Sequence, residues 1–401
     1  DVCSSDLLYR IGPGPSSSHT LGPQRASKLF KEAFPQADHF EVELYGSLSL
    51  TGKGHLTDYI IIETMKPKNC SVFFKTGHDL KHPNTMKLIA LDAQDQNLGE
   101  WIVYSIGGGA IRIEGQEKTE GKDVYPHHTL KDILDYCDQY HMELWEYVNK
   151  YDPLDDYMDE IMTTMLETVD RGLSKVGELP GSLHLTRVAG DLKAKADSCK
   201  SAIEKEKLLL SAYAYAASEE NASGNITVTA PTLGSSGIMP SLVYYYHRNL
   251  GYSKEAMRNG LKIAGLFGNL IKENATISGA QGGCQAEIGA AVSMGAAMVA
   301  YFHGLNSAQI EYAAEIGIEH HLGLTCDPVG GYVMIPCIER NAVGVLRSVD
   351  AAILAKGLNG LRDHKVSFDM VVNTMNYTGK KLAIELKETS LGGLATIVPV
   401  K

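Results

Sequence analysis

The sequence IGAAVSMGAAMVAYF, residues 288–302, is the most apolar long stretch of the chain. A membrane-spanning helix needs roughly 20 apolar residues, and this stretch is shorter. It is built from Ala, Gly and Ser more than from Leu. We therefore predict that it forms a buried, closely packed helix inside a helical region, and not a membrane span.

Helical character extends on both sides of this stretch. Residues 132–151 and 154–176 are predicted as helices, and the chain from about residue 200 onward is Ala- and Gly-rich with loops of Gly, Pro, Ser and Thr. An apolar face recurs at helical spacing along the second predicted helix. Its members are Leu154, Tyr157, Ile161, Met165, Val169 and Val176. We predict an all-α domain over residues 151–401.

The first 150 residues have a different periodicity, in which short apolar runs alternate with turns. Runs of this kind predict β-strands, and residues 23–34 predict one helix among them. Gly107 to Gly109 mark a turn after the last long strand. We predict an α+β domain over residues 1–150. The predicted strands are residues 40–48, 58–64, 70–74, 86–92 and 100–106.

Composition limits the classes of partner and compartment. The net charge of -11 and the pI of about 5.7 argue against nucleic acid and anionic membranes. An odd count of seven Cys on a long chain favours a reducing cytoplasm over a disulfide framework. The opening DVCSSDLLYR lacks the apolar segment of a signal peptide. We expect a cytoplasmic protein.

Three cysteines stand in unusual contexts. Cys284 follows two glycines and precedes the 288–302 helix, and Cys337 follows Pro336 at the start of another helical pattern. A helix N-terminus stabilises a thiolate. Cys326 lies on a loop with Gly330 and Gly331 beyond it, which would let backbone approach a bulky inorganic group. The spacing is not that of a compact zinc or ferredoxin site, so buried apolar cysteines remain the alternative.

Three thiolates could hold three irons of a [4Fe–4S] cluster and leave the fourth open. An open iron is a Lewis acid that could polarise a hydroxyl leaving group, which favours dehydration chemistry over electron transfer. Cys70, Cys137 and Cys199 lie in ordinary strand, helix or polar contexts and are interpreted as structural.

Two Ser- and Thr-rich loops precede predicted helices: GPGPSSSHTLGP, residues 12–23, and TAPTLGSSGIMPS, residues 229–241. Each is either a helix cap or a carboxylate-binding loop. His19 distinguishes the first loop from a plain cap. His55 lies in a glycine-rich turn beside Lys53, where it is either a solvated side chain or a base with a suitable pKa.

The motifs GPSSSHT, GKGHLTD, HPNTM, TAPTLGSSGIMP, GCQAEIGAA, CDPVGGYVMIPCIERN and TSLGGLA occur in order between about residues 10 and 395. Together they resemble the bacterial L-serine dehydratases of the iron–sulfur type. The resemblance implies an α+β domain similar to a regulatory domain of some phosphoglycerate dehydrogenases, followed by an all-α catalytic domain. It also implies a homodimer that acts in amino-acid degradation and gluconeogenesis.

The resemblance further implies a [4Fe–4S] cluster on Cys284, Cys326 and Cys337, faced by His19 and His55. Members of that family commonly end in a cysteine that can curl back to the cluster. This chain ends TIVPVK and has no Cys after Cys337, which places such a tail contact in doubt.

The resulting hypothesis is elimination of water from L-serine without pyridoxal phosphate, giving pyruvate and ammonia. His19 or His55 would take the Cα proton, and the sequence does not decide which. The alternatives are a related iron–sulfur lyase acting on L-cysteine or L-threonine, and a non-catalytic amino-acid sensor. The predicted substrate-binding residues are Ser16, Ser17, Ser18, Thr20, Lys53, Thr232, Gly234, Ser235 and Ser236.

Overall fold

The computed structural model describes residues 8–76, 80–116 and 124–399. The expectation about a leader segment concerns residues 1–10, of which 1–7 lie outside the described residues. The strands are β1 Ile11–Pro13, β2 His39–Gly46, β3 Asn69–Phe74, β4 Asn84–Leu91, β5 Asn97–Gly107, β6 Ala110–Ile113 and β7 Ile226–Val228.

Helices occupy most of the remaining chain. Single-turn π or 3-10 segments lie at Ser17–Leu21, Tyr245–Asn249, Cys284–Ala286, Val329–Gly331 and Ile384–Leu386. The α-helices are α1 Gly22–Ala33, α2 Ser47–Leu50, α3 Thr57–Met65, α4 Leu130–Tyr140, α5 Leu144–Tyr151, α6 Asp155–Ser174, α7 Ala189–Ser198, α8 Ala202–Ala222, α9 Ile238–Tyr244, α10 Lys254–Asn274, α11 Gly279–Gly282, α12 Ile288–Phe302, α13 Ser307–Glu319, α14 Cys337–Leu358, α15 Phe368–Lys381 and α16 Leu394–Ile397.

The amino-terminal region is a five-stranded mixed sheet in the order β3-β2-β4-β5-β6. β2 alternates buried and half-buried residues, so that Phe40, Val42 and Leu44 enter the core with no exposed surface. This alternation is the period of a strand with one buried face. Helix α1 contributes Phe30 to the same core. The predicted α+β region followed by a helical region is confirmed.

One predicted strand is wrong. Residues 58–64, DYIIIET, lie in helix α3, with Ile61 and Met65 buried. Strands β2 and β3 pair in parallel, and a parallel pair needs a crossover between its strands. The residues Ile60–Ile62 favour a strand by intrinsic propensity. The free energy of that propensity is small, and tertiary packing overrides it.

Two other local predictions also need correction. The predicted helix 132–151 is interrupted at His141, whose left-handed φ of 53° ends α4 before α5 begins. Val176 does not join the apolar face of α6, because that helix ends at Ser174 and Val176 is 90% exposed. Both differences occur at helix ends, where local capping decides the boundary.

Helix α12 coincides with the apolar stretch 288–302 and lies at the centre of the helical region. It packs against α10, α13 and α14, and every residue except Tyr301 is buried. Its glycines allow this close packing, since a Cβ at Gly295 would lie 2.6 Å from Ser348 Oγ. The predicted buried, closely packed helix is therefore confirmed. Among the described residues, no helix combines the length and apolar character required to cross a bilayer.

The chain before α1 also joins the two regions. Strand β1 pairs antiparallel with β7, with Ile11 opposite Val228. Leu8 and Tyr9 are buried in the helical core, and the Tyr9 hydroxyl donates to the Leu261 carbonyl over 3.0 Å. These contacts fix the start of the Ser-rich loop against the helical region.

Candidate active site

The Ser-rich loop is a buried, hydrogen-bonded turn. Ser16 caps the π-helical segment Ser17–Leu21, and its Oγ accepts the His19 backbone N–H over 3.1 Å. The Thr20 hydroxyl accepts the Ser16 N–H and donates to the His55 carbonyl over 2.7 Å. All residues from Ser16 to Thr20 are at most 5% exposed. The loop is a helix cap, and it also brings His19 next to the turn that carries His55.

His19 is held by side chains from separate elements. Its Nε2 lies 3.0 Å from the Ser47 hydroxyl and 3.0 Å from the Thr51 hydroxyl. Its Nδ1 lies 3.4 Å from Ser16 Oγ and 3.5 Å from Glu388 Oε1. Polar atoms therefore surround both ring nitrogens, and the ring orientation is fixed.

His55 packs against His19, with ring centroids 4.3 Å apart and an interplanar angle of 36°. His55 is 1% exposed, so the alternative of a solvated turn residue is wrong. Its Nδ1 has no hydrogen-bond partner among the described residues. Burial lowers the pKa of His55 to about 4 and lowers the pKa of His19 well below its ordinary value, with the neighbouring His55 adding to the effect on His19. Both rings are therefore neutral near pH 7.

The three predicted cysteines are also buried. Cys284 lies in the short 3-10 segment before α12, and Cys337 is the first residue of α14. Cys326 lies on a loop that pairs with the carboxyl-terminal segment, because its N–H donates to the Leu386 carbonyl and its carbonyl accepts the Glu388 N–H. Two of the thiols therefore lie at or just before the first residues of helices, and the third lies on a loop.

The thiols interact electrostatically. A hydrogen bond with Cys326, and then the Arg340 guanidinium, lower the pKa of Cys284 to about 6. The hydrogen bond with Cys284 and burial raise the pKa of Cys326 well above its ordinary range. Burial, followed by the charge of Cys284, raises the pKa of Cys337. One thiolate is already favoured, and further negative charge here requires a cation to balance it.

The potential ligand atoms of Cys284, Cys326 and Glu287 all lie within 4.8 Å of one another. Cys337 is outside this group. Glycine permits the close approach, because a Cβ on Gly279 would lie 2.7 Å from Glu287 Oε2 and 3.2 Å from Cys326 Sγ. Thiolates are the ligands that iron–sulfur clusters use. The donor set and its glycine-lined surroundings therefore fit a thiolate-bound metal group.

Sequence reasoning missed two buried carboxylates in this site. Glu287 accepts a hydrogen bond from the Thr232 hydroxyl over 2.7 Å and lies 3.9 Å from Cys326 Sγ. Burial, and then the charge of Cys284, raise its pKa to about 8. Burial, and then the charge of Glu287, raise the pKa of Glu388 well above its ordinary range. Glu287 could have been suspected from its position one helical turn after Cys284, but Glu388 has no comparable signal.

The second polar loop packs on Glu287. The Ser235 hydroxyl contacts Thr232 and donates to the Ala230 carbonyl over 3.2 Å, and a Cβ on Gly234 would lie 2.9 Å from Glu287 Oε1. Ser236 Oγ is buried with no partner among the described residues. The structure thus brings this loop to the carboxylate beside the thiols.

Lys53 is placed differently from the other predicted substrate-binding residues. Its side chain is exposed, and its Nζ lies over the Phe74 ring, 5.5 Å from the centroid. The glycine-rich turn folds so that His55 points inward while Lys53 faces solvent. This placement does not support a substrate-binding role for Lys53.

The chain resembles two family models and several curated proteins. The model described as the serine dehydratase alpha chain matches residues 95–395, and the serine dehydratase beta chain matches residues 4–73. An L-serine dehydratase of Helicobacter pylori J99 is 37% identical, and one of Haemophilus influenzae is 36% identical. L-serine dehydratase 1 of Escherichia coli K12 is also 36% identical. Each alignment covers 97% of both chains.

Proposed function

The chain belongs to the serine dehydratase family, and we propose that it is an L-serine dehydratase. It is a carbon–oxygen lyase that eliminates water from L-serine and yields pyruvate and ammonia. One observation supports the assignment to this site. The two buried, neutral histidines pack against each other, and His19 lies beside Glu388, whose backbone N–H donates to the carbonyl of Cys326. This proximity supports a site in which a proton acceptor and a metal-binding group act on the same substrate.

The proposed cofactor is a [4Fe–4S] cluster on Cys284, Cys326 and Cys337, with no pyridoxal phosphate. The buried thiols, the lowered pKa of Cys284 and the glycine at position 279 support this proposal. When bound, the cluster supplies an iron with an open position, a Lewis acid that makes a hydroxyl a better leaving group.

The substrate carboxylate is proposed to bind the polar loops. Ser16, Ser17, Ser18 and Thr20 belong to the buried loop that carries His19, and Thr232 to Ser236 form a second polar loop beside Glu287. Donors at a helix start suit a carboxylate. Lys53 is omitted from this set because of its exposed position.

His55 is the proposed general base. Its Nδ1 is the ring nitrogen without a partner, whereas polar groups of the chain contact both nitrogens of His19. Burial keeps His55 neutral, so that its ring retains a nitrogen lone pair near pH 7. The Cα proton moves to His55 Nδ1 and the C–H electron pair forms the Cα=Cβ bond. The C–O electron pair leaves with the β-oxygen, and the proton held by His55 converts the departing hydroxide to water. The aminoacrylate product tautomerises to an imine, which water hydrolyses to pyruvate and ammonia.

A cytoplasmic homodimer is part of the same proposal. All six described cysteines are free thiols, which suits a reducing compartment. Light scattering on the purified chain tests the dimer, and a molar mass of one chain would contradict it.

The decisive experiment combines metal analysis with a deaminase assay under anaerobic conditions. After reconstitution, we expect iron and sulfide in equal amounts and pyruvate formation that is faster from L-serine than from L-threonine or L-cysteine. Protein that carries a full cluster and forms no pyruvate from L-serine would contradict the proposal. Faster turnover of L-cysteine would reassign the substrate.

A further inference from the structure

Glu388 is a buried carboxylate that the proposed chemistry has not used. It is 5% exposed, and its Oε1 lies 3.5 Å from His19 Nδ1. Its Oε2 has no hydrogen-bond partner within the described parts of the chain. A buried carboxylate oxygen without a partner is costly, so this atom is suited to receive a donor from a ligand.

The backbone holds Glu388 firmly between the two halves of the site. Its N–H donates to the Cys326 carbonyl over 2.7 Å, and its carbonyl accepts the Ser47 hydroxyl over 2.6 Å. Its φ of 57° is left-handed, a conformation that non-glycine residues keep only where the surroundings enforce it. The side chain is therefore fixed toward the histidine pair.

The surroundings of Glu388 favour a positive ligand group. Its described ionisable neighbours include the acidic Glu287 and Cys284, and the imidazole of His19, whose Nδ1 lies 3.5 Å from Glu388 Oε1. Arg340 is engaged by the Thr325 carbonyl and Cys284. A cationic group from outside the chain would balance this local excess of negative charge.

We propose that Glu388 binds the α-ammonium group of the substrate. This inference rests on the proposed function and deepens it. The substrate carboxylate lies on the Ser-rich loop, and the ammonium group reaches Glu388, whose Oε1 lies beside the same His19 nitrogen as Ser16 Oγ. Glu287 is less suited, since its oxygens already contact Thr232 and Cys326. Glu388 thereby selects α-amino acids with a free ammonium group over 2-hydroxy acids.

The test compares two inhibitors that differ only at this position, L-alanine and L-lactate. They share the carboxylate and the methyl group, and one carries an ammonium group where the other carries a hydroxyl. We would measure both inhibition constants against L-serine for the cluster-loaded wild-type chain, Glu388→Gln and Glu388→Asp. The matched control is Glu385→Gln, an exposed carboxylate on the same segment.

We expect Glu388→Gln to weaken L-alanine binding and raise KM for L-serine on the order of 100-fold, the loss expected for a buried charge pair. L-lactate inhibition should stay within about threefold of wild type, since it makes no charge pair with Glu388. Glu388→Asp keeps the charge, so its L-alanine inhibition constant should lie between those of wild type and Glu388→Gln. The constants of Glu385→Gln should match wild type. Titrating each inhibitor against the visible spectrum of the cluster provides the same comparison without turnover.

Equal weakening of L-alanine and L-lactate in both variants would overturn the inference, because it would indicate a structural role for Glu388. A divalent metal bound beyond the cluster iron and lost in Glu388→Gln would also overturn it, since the ligand atoms of His19, His55 and Glu388 lie within 4.8 Å of one another. Absence of L-serine turnover, with selective L-alanine binding retained, would remove the proposed function and leave the ammonium site standing.

Discussion

The two halves of the site are stabilised in opposite ways. His19 and His55 lie in a network of neutral hydroxyls and carbonyls, in which Ser16, Ser47 and Thr51 surround His19. The half that carries Cys284 and Cys326 places buried acidic groups together. Burial and then the charge of Cys284 raise the pKa of Glu287, and the hydrogen bond with Cys284 and burial raise the pKa of Cys326. The chain itself therefore fixes the orientation of His19 and leaves His55 Nδ1 without a partner among the described residues, while the thiol half gathers acidic groups that a bound cation would balance.

Among the variants considered, removal of a proposed thiol ligand should have the largest effect on cluster content and activity. We expect Cys326→Ala to lose cluster iron and to form no measurable pyruvate, because two thiolates hold a cluster poorly. Iron and sulfide analysis and the deaminase assay measure both effects. Cys70→Ala, at a cysteine in strand β3, should keep its cluster and activity. Full iron retention in Cys326→Ala would contradict the ligand assignment.

Removal of the proposed base should lower the rate of the chemical step without changing cluster binding. Loss of a general base lowers kcat by about 10²- to 10⁴-fold, and we expect this for His55→Ala with the iron content unchanged. His320→Ala is the control, since the side chain of His320 is 66% exposed. If His19→Ala loses kcat while His55→Ala keeps it, the roles of the two histidines are reversed.

The burial of His55 predicts the direction in which the free energy of unfolding changes with pH. The pKa of His55 is lowered from 6.5 to about 4 in the folded chain, so the unfolded chain binds more protons between these values. The free energy of unfolding should therefore fall as the pH drops from about 6.5 to 4, by about 3 kcal/mol from this group. Denaturant unfolding of wild type and His55→Asn measures the difference. Parallel pH profiles would show that burial does not depress this pKa.

Gly279 tests the close approach in the thiol half, with a smaller effect. A Cβ there would meet Glu287 Oε2 at 2.7 Å, whereas a Cβ on Gly357 of α14 would meet nothing within 4 Å. We expect Gly279→Ala to destabilise the chain by about 1–3 kcal/mol and to weaken cluster retention. Gly357→Ala should stabilise by about 0.5–1 kcal/mol. Thermal unfolding and iron content compare them, and equal behaviour of both variants would argue against a glycine requirement.

Several features were predictable because they depend on local pattern. The alternation Phe40, Val42, Leu44 marks strand β2, and the all-round apolar character of residues 288–302 marks the buried helix. The positions of Cys284 and Cys337 before or at helix starts followed from Gly and Pro beside them. The predicted division of the chain near residue 150 stays a prediction, as do the roles of the site residues.

Other features required the tertiary structure. The run DYIIIET becomes helix α3 because β2 and β3 are parallel, a fact that no window of seven residues contains. The inward position of His55 and the outward position of Lys53 depend on how one turn packs. Glu388 was missed because its position beside His19 depends on contacts with distant residues such as Ser47, 341 residues away.

The thiols, imidazoles and hydroxyl-rich loops can be recognised in the amino-acid sequence, as can the periodicities that separate sheet from helix. Which of these groups contact one another depends on the tertiary fold, which also brings the buried carboxylates of Glu287 and Glu388 to the site. The two kinds of feature differ in the sequence distance over which the responsible interactions act. Periodicity and capping act over a few residues, whereas burial, pKa shifts and ligand geometry arise from contacts between segments hundreds of residues apart.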